Sequence, residues 1–453
     1  MEQRKSIRGV PYGSKELPLL AEADVVIAGA GPGGLGAALA AAWYGAKVLV
    51  VEEYGVAGGM AAIGEVHPFM INHIGSESLD FPVYGQWLEQ MKQYLPEDIV
   101  KNVINPFDYS CRSINKEAAA LAAEDMLLAA GVEILYHHSV SGVEKDESGN
   151  ISAVICHTRC GFGRVKGKCY IDCTGDGHLA AMADSPFELG DERGGCQPMT
   201  LCFKLSHVKV PMIQAPDGSK FYDTQWREML NNSFVKAKES GRIDSPRHSV
   251  LIFPFQIGDE NILHFNMTRV IGYDATCGAD LSAAEIEGRR QMREIIKWLR
   301  EDHEEFADAR LMSMAVQIGI RESRRITGLY KLVLDDFKAC KRFPDAIARC
   351  SYHVDYHSPW GPGTEFVRLP PGEFYEIPFR SLVPANKINL TVGGRPISAD
   401  AAVHSSLRIM PAAISIGQGA GIGAAIAAAR NTTPDKIDGV EVREELKKFG
   451  AHL

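Results

Sequence analysis

Between Asp24 and Glu52 the chain reads DVVIAGAGPGGLGAALAAAWYGAKVLVVE, and few folds can accommodate that stretch. Asp24 to Ala28 carries the unbroken apolar run of a strand buried on both faces. Gly29, Gly31 and Gly34 then form G-x-G-x-x-G, with Gly33 adding a further position without a side chain. Leu35 to Gly45 reads as an Ala-rich helix, and Lys47 to Val51 as a second strand that runs into Glu52 and Glu53. In such a unit the first glycine makes the tight turn, the second admits a pyrophosphate against the backbone, and the third lets helix and strand pack closely. The unpaired amides of the helix start face the phosphates. Glu52 follows the first glycine at about the 20-residue distance where a carboxylate takes ribose hydroxyls, which disfavours a 2′-phosphate and so NADP. FAD and NAD both remain open on this unit alone.

At 453 residues the chain exceeds the size at which one core stops growing, so two domains are expected. A net charge of −9 and no basic face exclude nucleic acid as a partner. The basic residues near Met1 have no apolar run of signal-peptide length behind them. Ile409 to Ala429 is long enough to span a bilayer but is rich in Ala and Gly and contains Ser415 and Gln418, so it is expected to be a helix buried in protein. A cytoplasmic protein with no membrane partner follows. The 10 cysteines are then expected as thiols, and the C-x-x-x-C spacings of Cys156, Cys160, Cys169 and Cys173 fit half-buried strand positions better than a metal or cluster site.

Further along, Gly58, Gly59 and Met60 follow the acid-bearing strand, where closely spaced glycines let backbone approach a large cofactor. Residues 63–110 are irregular and read as an excursion over the site. Asn115 to Ala130 is a strong helix capped by Gly131, and a hairpin turning at Ser148 to Asn150 comes next. Tyr170 to Gly177 reads as a strand ending in Thr174, Gly175 and Asp176, at the strand end where open α/β sheets bind ligands. Beyond Gly190, QPMTLCFKLS, HSVLIFPFQI and NILHFNMTRV look like strands, while Ser282 to Glu305 and Arg310 to Ile320 look helical. No second Rossmann fingerprint occurs there. Arg324, Arg325, His353, Asp355, His357, Tyr375 and Arg380 are polar groups suited to an oxygen-rich or anionic substrate. Ile388 to Gly394 is a strand ending in two glycines, and Gly417, Gly419, Gly421 and Gly423 form a close-packing face on the last long helix. The start of that helix offers free amides to negative charge.

The fingerprint, YIDCTGDGHLA and GGRPISADAAVHSSLRIMPAAISIGQGAG, in this order, resemble the FAD-dependent oxidoreductase family with a nucleotide domain like that of glutathione reductase. RESRRITG and YEIPFRSLVP resemble further family segments. The resemblance implies an α/β fold: a Rossmann-like FAD-binding domain of the glutathione-reductase type over 1–190 and 386–453, with an inserted α+β substrate/cap domain over 191–385. It implies that Gly29, Gly31, Gly33 and Gly34 cradle the FAD pyrophosphate, that Glu52 and Glu53 mark the ribose, and that Gly58, Gly59 and Met60 pass the ribityl and ring. Val140 is then placed at the adenine, Thr174, Gly175 and Asp176 near the ribityl or pyrophosphate, and Gly394, Arg395, Gln418 and Gly419 beside the flavin ring. The flavin subunits of heterodisulfide reductases are related, but this chain lacks their cluster cysteine spacing and the C-x-x-C of dithiol reductases.

Hydride transfer between a small polar substrate, such as a hydroxy acid, an unsaturated acid or a sugar, and FAD is the expected activity. An electron-transfer subunit serving a protein partner is the alternative. His404 is the first choice for acid/base, since an imidazole titrates near neutrality. Arg324, Arg380 and Arg408 are candidates to grip substrate oxygens, with His357 and Tyr375 on the far wall. No metal is expected. The expected partners are the substrate and an electron donor or acceptor, with homo-oligomer formation left open.

Overall fold

The computed structural model describes residues 13, 16–95, 114–214, 220–254 and 261–453. Its first sheet grows from the apolar run singled out above. β1 (Leu19–Ala28) leads through α1 (Pro32–Trp43) to β2 (Val48–Val51), and the two strands pair in parallel with Val25 opposite Val48 and Ala28 opposite Val51. After the excursion, which contains α2 (Val83–Met91), come α3 (Lys116–Ala129) and β3 (Glu133–Leu135). The Asn115 side chain caps α3 by accepting from the Ala118 amide at 3.0 Å, and Gly131 follows in the left-handed region with φ 73°. Residues 96–110 of the expected excursion lie outside the described residues.

β4 (Ser139–Lys145), β5 (Ile151–Thr158) and β6 (Gly161–Asp172) form an antiparallel meander, but β6 is long enough to serve two neighbourhoods. Its first part pairs with β5, and its last three residues pair in parallel with the strand Leu390–Val392. Along its other edge it runs parallel to β1, with Ala28 opposite Asp172. The parallel part therefore has the order β3-β2-β1-β6 followed by Leu390–Val392. All its strands end on one edge, so Gly29, Glu52, Cys173 and Gly393 emerge side by side. That is the edge at which open α/β sheets bind ligands.

A second core is made of residues between Met199 and Ile320. β7 (Phe203–Ser206), α4 (Thr224–Glu239), β8 (Ile252–Pro254), β9 (Leu263–Phe265), α5 (Gly278–Asp302) and β10 (Arg310–Met314) build it, with strand order β8-β9-β7-β10. Phe203 and Phe265 stack with ring centroids 4.7 Å apart, and Leu230 and Phe234 of α4 and Ile295 and Leu299 of α5 join them in the core. Arg310 to Met314 is thus a strand, not the start of the expected helix. The run is short and its period ambiguous, and the free edge of β7 supplies hydrogen-bond partners that only tertiary structure provides.

From Ile326 the chain is back in the first core, earlier than the boundary at 385: Leu332, Tyr375 and Val383 pack there. This return contains β11 (Val354–His357), paired with β12 (Thr364–Val367), then β13 (Leu390–Val392), α6 (Ala401–Leu407), α7 (Met410–Ala429) and α8 (Gly439–Phe449). By length and composition α7 passes as a membrane span, yet 94% of its apolar window is buried inside the protein. It is the central helix of this core, lying against α1. A Cβ on Gly36 would stand 2.1 Å from the Ile414 carbonyl oxygen, one on Gly417 2.0 Å from that of Gly33, and one on Gly421 2.2 Å from that of Ala37. Because Gly33 meets Gly417 while Ala37 meets Gly421, the two helices run in the same direction. Gly417 lies seven steps into α7 and Gly33 one step into α1, so the start of α7 stands roughly 9 Å beyond that of α1.

Candidate active site

A cavity of about 950 Å3 opens between the strand-end edge and the second core. It stands at the upper end of the range for ligand pockets, roughly 300–1,000 Å3. Backbone alone builds its narrowest part. A Cβ on Gly29, where φ is 102°, would lie 2.4 Å from the Cys173 carbonyl oxygen, and one on Gly59 would lie 2.6 Å from the Gly31 Cα. One on Gly33 would lie 3.1 Å from the Gly394 Cα, so three glycine segments meet here with no room for side chains. α1 starts at this point with Pro32 in its first turn, no side-chain cap and no acid, leaving its free amides to an anion. The start of α7 is likewise uncapped and without an acid, and Ile409, Met410 and Ala413 line the same cavity.

Glu52 accepts from the Ala30 amide at 2.7 Å and the Tyr54 amide at 2.9 Å, which aims its carboxylate along the cavity wall. Burial raises its pKa to about 6, against the two amides. Glu53, Met60 and Val140 line the cavity too. Thr174, Gly175 and Asp176 are held in their turn by Asp172, whose carboxylate accepts from the Thr174 amide and hydroxyl and from the Ala180 amide. Arg395 donates to the Gly175 carbonyl at 2.8 Å and pairs with Asp176, joining two of the strand ends. A carboxylate oriented by two amides, a side-chain-free turn and an uncapped helix start line one cavity, so the residues present fit FAD.

Five expected positions do not reach the cavity wall as cofactor or substrate contacts. Gly34 packs on the Gly29 carbonyl oxygen, and Gly58 on Ala62 and Ala120. Gln418 accepts from the Val83 amide at 3.1 Å and donates to the Phe81 carbonyl at 3.1 Å, so it pins the start of α2 instead of facing the ring. Gly419 makes room for Ile347. His404 is fully buried away from the cavity, and burial together with the Arg325, Arg408 and Arg395 charges holds its pKa well below the usual imidazole value. Its burial removes it from acid/base duty. Two more candidates are structural: Arg380 makes a two-pronged ion pair with Asp345 (2.8 and 3.1 Å), and Tyr375 is buried with its hydroxyl 3.0 Å from Ser406.

Arg324, His357 and Arg408 do line the cavity. Arg324 donates to the Asp176 carbonyl at 3.2 Å and lies over the Phe187 ring. His357 Nδ1 receives Arg269 at 3.2 Å, so the ring proton sits on Nε2, which faces the Asp355 carboxylate at 3.4 Å. Burial and the facing Arg321 push the His357 pKa down to about 3. Burial works against ionised Asp355, but His357 and the Arg408 and Arg321 charges outweigh it and hold the acid far below the usual carboxylate range. Arg247 and Arg321, which the sequence reading passed over, complete this wall. Burial lowers the Arg247 pKa to about 10 and, with Arg408 and Arg247 facing it, that of Arg321 to about 9. Arg247 stands in no motif and Arg321 opens RESRRITG without a sign of its role, and only the folding of the second core against β11 brings them together. Among the described residues, no group of three or more His, Cys, Asp or Glu is placed to hold a metal.

The family described as FAD dependent oxidoreductase matches residues 24–446. Among solved structures, a geranylgeranyl bacteriochlorophyll reductase-like protein from Thermoplasma acidophilum is 14% identical with a TM-score of 0.43, over 95% of this chain and 82% of its own. A myxobacterial FAD-dependent chondrochloren halogenase is 13% identical with a TM-score of 0.47, over 95% of this chain and 79% of its own. A p-nitrophenol 4-monooxygenase from Pseudomonas putida DLL-E4 is 11% identical with a TM-score of 0.41, over 94% and 83%. Among curated proteins none matches. With the match running over nearly the whole chain and a cavity shaped for the cofactor, the protein belongs to the FAD-dependent oxidoreductase family and is an enzyme that uses FAD.

Proposed function

We propose that the enzyme moves a hydride between a small polar substrate and FAD, with adenosine at Glu52 and Val140, pyrophosphate at the start of α1, and the ring near Gly394 and the start of α7. The cavity carries this reading, because it continues past the glycine cradle into a polar end walled by Arg247, Arg321, Arg408, Tyr352 and His357. A glutathione-reductase type of FAD domain accords with the parallel strands and the meander on one continuous sheet.

FAD supplies a two-electron acceptor or donor when bound. The chain's own residues orient the substrate, shed water and handle one proton. For a hydroxy acid, the carbon-bound hydrogen leaves with its electron pair, the hydroxyl proton leaves separately, and the carbon becomes a carbonyl. His357 has both ring nitrogens engaged, so it positions Asp355 and Arg269 instead of taking that proton. His353 lines the cavity beside Tyr352, and burial keeps its imidazole neutral to below the usual value, so it is our choice of proton acceptor.

Anaerobic mixing of the FAD-loaded protein with hydroxy acids, unsaturated acids, sugars and nicotinamides tests the reading through bleaching of the flavin. Bleaching by a small molecule, slowed about 100-fold or more in His353→Gln, is expected. Rapid reduction by a ferredoxin-like protein with no bleaching by any small molecule would instead favour an electron-transfer subunit.

A further inference from the structure

The guanidiniums of Arg247, Arg321 and Arg408 line one wall of the cavity from three separate segments: the loop before β8, the residues ahead of Arg324, and the carboxyl end of α6. The carboxylates that face them are few. Asp355 is shared with His357, and the nearby Glu322 is taken by Arg325 and by the Gln197 amide at 3.1 Å. Arg269, the fourth cation of the wall, is spent on His357 and on the Ser358, Gly361 and Gly363 carbonyls. The other three are not spent. Among the described residues, Arg247 donates only through Nε to Ser249, Arg321 only through Nη1 to Pro198 and Thr200, and Arg408 through Nε and Nη2 to Ser405 and Asp355 carbonyls. The remaining N–H groups open on the cavity. The partners of Arg269 are uncharged, so four cations on this wall face the one carboxylate of Asp355, and clustered like charges repel unless a ligand neutralises them.

We propose, resting on the hydride-transfer reading of this cavity, that the substrate is a dianion, a small dicarboxylate gripped by Arg247, Arg321 and Arg408. Planar guanidiniums fit carboxylates with paired hydrogen bonds, and two carboxylates offset more of the excess positive charge than one. A neutral sugar would leave that charge buried and bare. A monocarboxylate would offset less of it.

The test is equilibrium binding to the FAD-loaded protein, read by perturbation of the oxidised flavin spectrum and by Tm, with succinate, acetate, inorganic phosphate and glucose as probes. Succinate is expected to saturate the spectral change and raise Tm, acetate to bind at least about tenfold more weakly, and glucose not to bind. Arg321→Met and Arg247→Met should each weaken succinate about ten- to a hundredfold, while Arg247→Lys, which keeps the charge, loses less. FAD content and the Tm without probe report whether each variant folds. Phosphate binding more tightly than succinate would overturn the dicarboxylate in favour of a phosphate ester. Equal binding of glucose, or succinate binding indifferent to all three variants, would overturn the dianion altogether. Because no hydride moves in this measurement, succinate binding that requires the arginines supports the dianion even where no dicarboxylate bleaches the flavin, an outcome that would tell against the hydride-transfer reading alone.

Discussion

Glu52 and Asp80 are two buried acids with raised pKa values and opposite meanings. Glu52 lines the cavity with its oxygens oriented by two backbone amides, an arrangement that serves a ligand. Glu52→Gln puts an NH2 group against one of those amides, and FAD titration of the apoprotein should show affinity falling about ten- to a hundredfold. Asp80 serves the fold. Its Oδ1 accepts from Ser415 of α7 at 2.8 Å and from Asn72 at 3.1 Å, while Oδ2 lacks a hydrogen-bond partner among the described residues. Burial raises its pKa to about 7 from 3.8, so the protonated acid is the form the fold favours. The stability gained from it is complete below the unfolded value and is lost as pH rises through about 7. Asp80→Asn keeps the acceptor and cannot ionise. Tm measured against pH should show the wild type falling behind this variant by a few degrees between pH 5 and 8, and parallel curves would contradict the assignment.

That α7 carries a close-packing face was legible in sequence, because glycines spaced along a helix have few uses other than close approach; that α1 is what meets Gly417 and Gly421 was not. Gly417→Ala should cost about 1–3 kcal/mol or more, since the new methyl would meet the Gly33 carbonyl with backbone on both sides. The control is Gly278→Ala at the start of α5, where an added Cβ meets nothing within 4 Å; its Tm should be unchanged while that of Gly417→Ala drops and FAD is lost. Other elements were hidden for physical reasons. Arg310 to Met314 carries no helical or strand period strong enough to decide, and it becomes a strand only through β7. Gln418 was placed beside the ring by the family resemblance, but its side chain leaves α7 toward α2, a direction that depends on which face α7 turns inward. His404 was chosen for its chemistry, which a sequence shows, and is disqualified by burial, which it does not.

On the scale of the molecule, two cores meet over one cavity, and the division of labour between them explains what the sequence disclosed. The cofactor half is made of backbone: tight turns, glycines and helix starts leave a signature that composition and spacing reveal. The proposed substrate half is made of side chains such as Arg247, Arg321 and Asp355, contributed by separate segments that only the fold assembles. The measurement that tests this arrangement most directly is a crystal structure of the FAD-loaded enzyme. It should show the adenosine ribose against Glu52, the pyrophosphate at the start of α1, and the ring beside Gly394 and the start of α7 with the arginine wall facing it. A flavin bound in the reverse sense, or outside this cavity, would contradict the account.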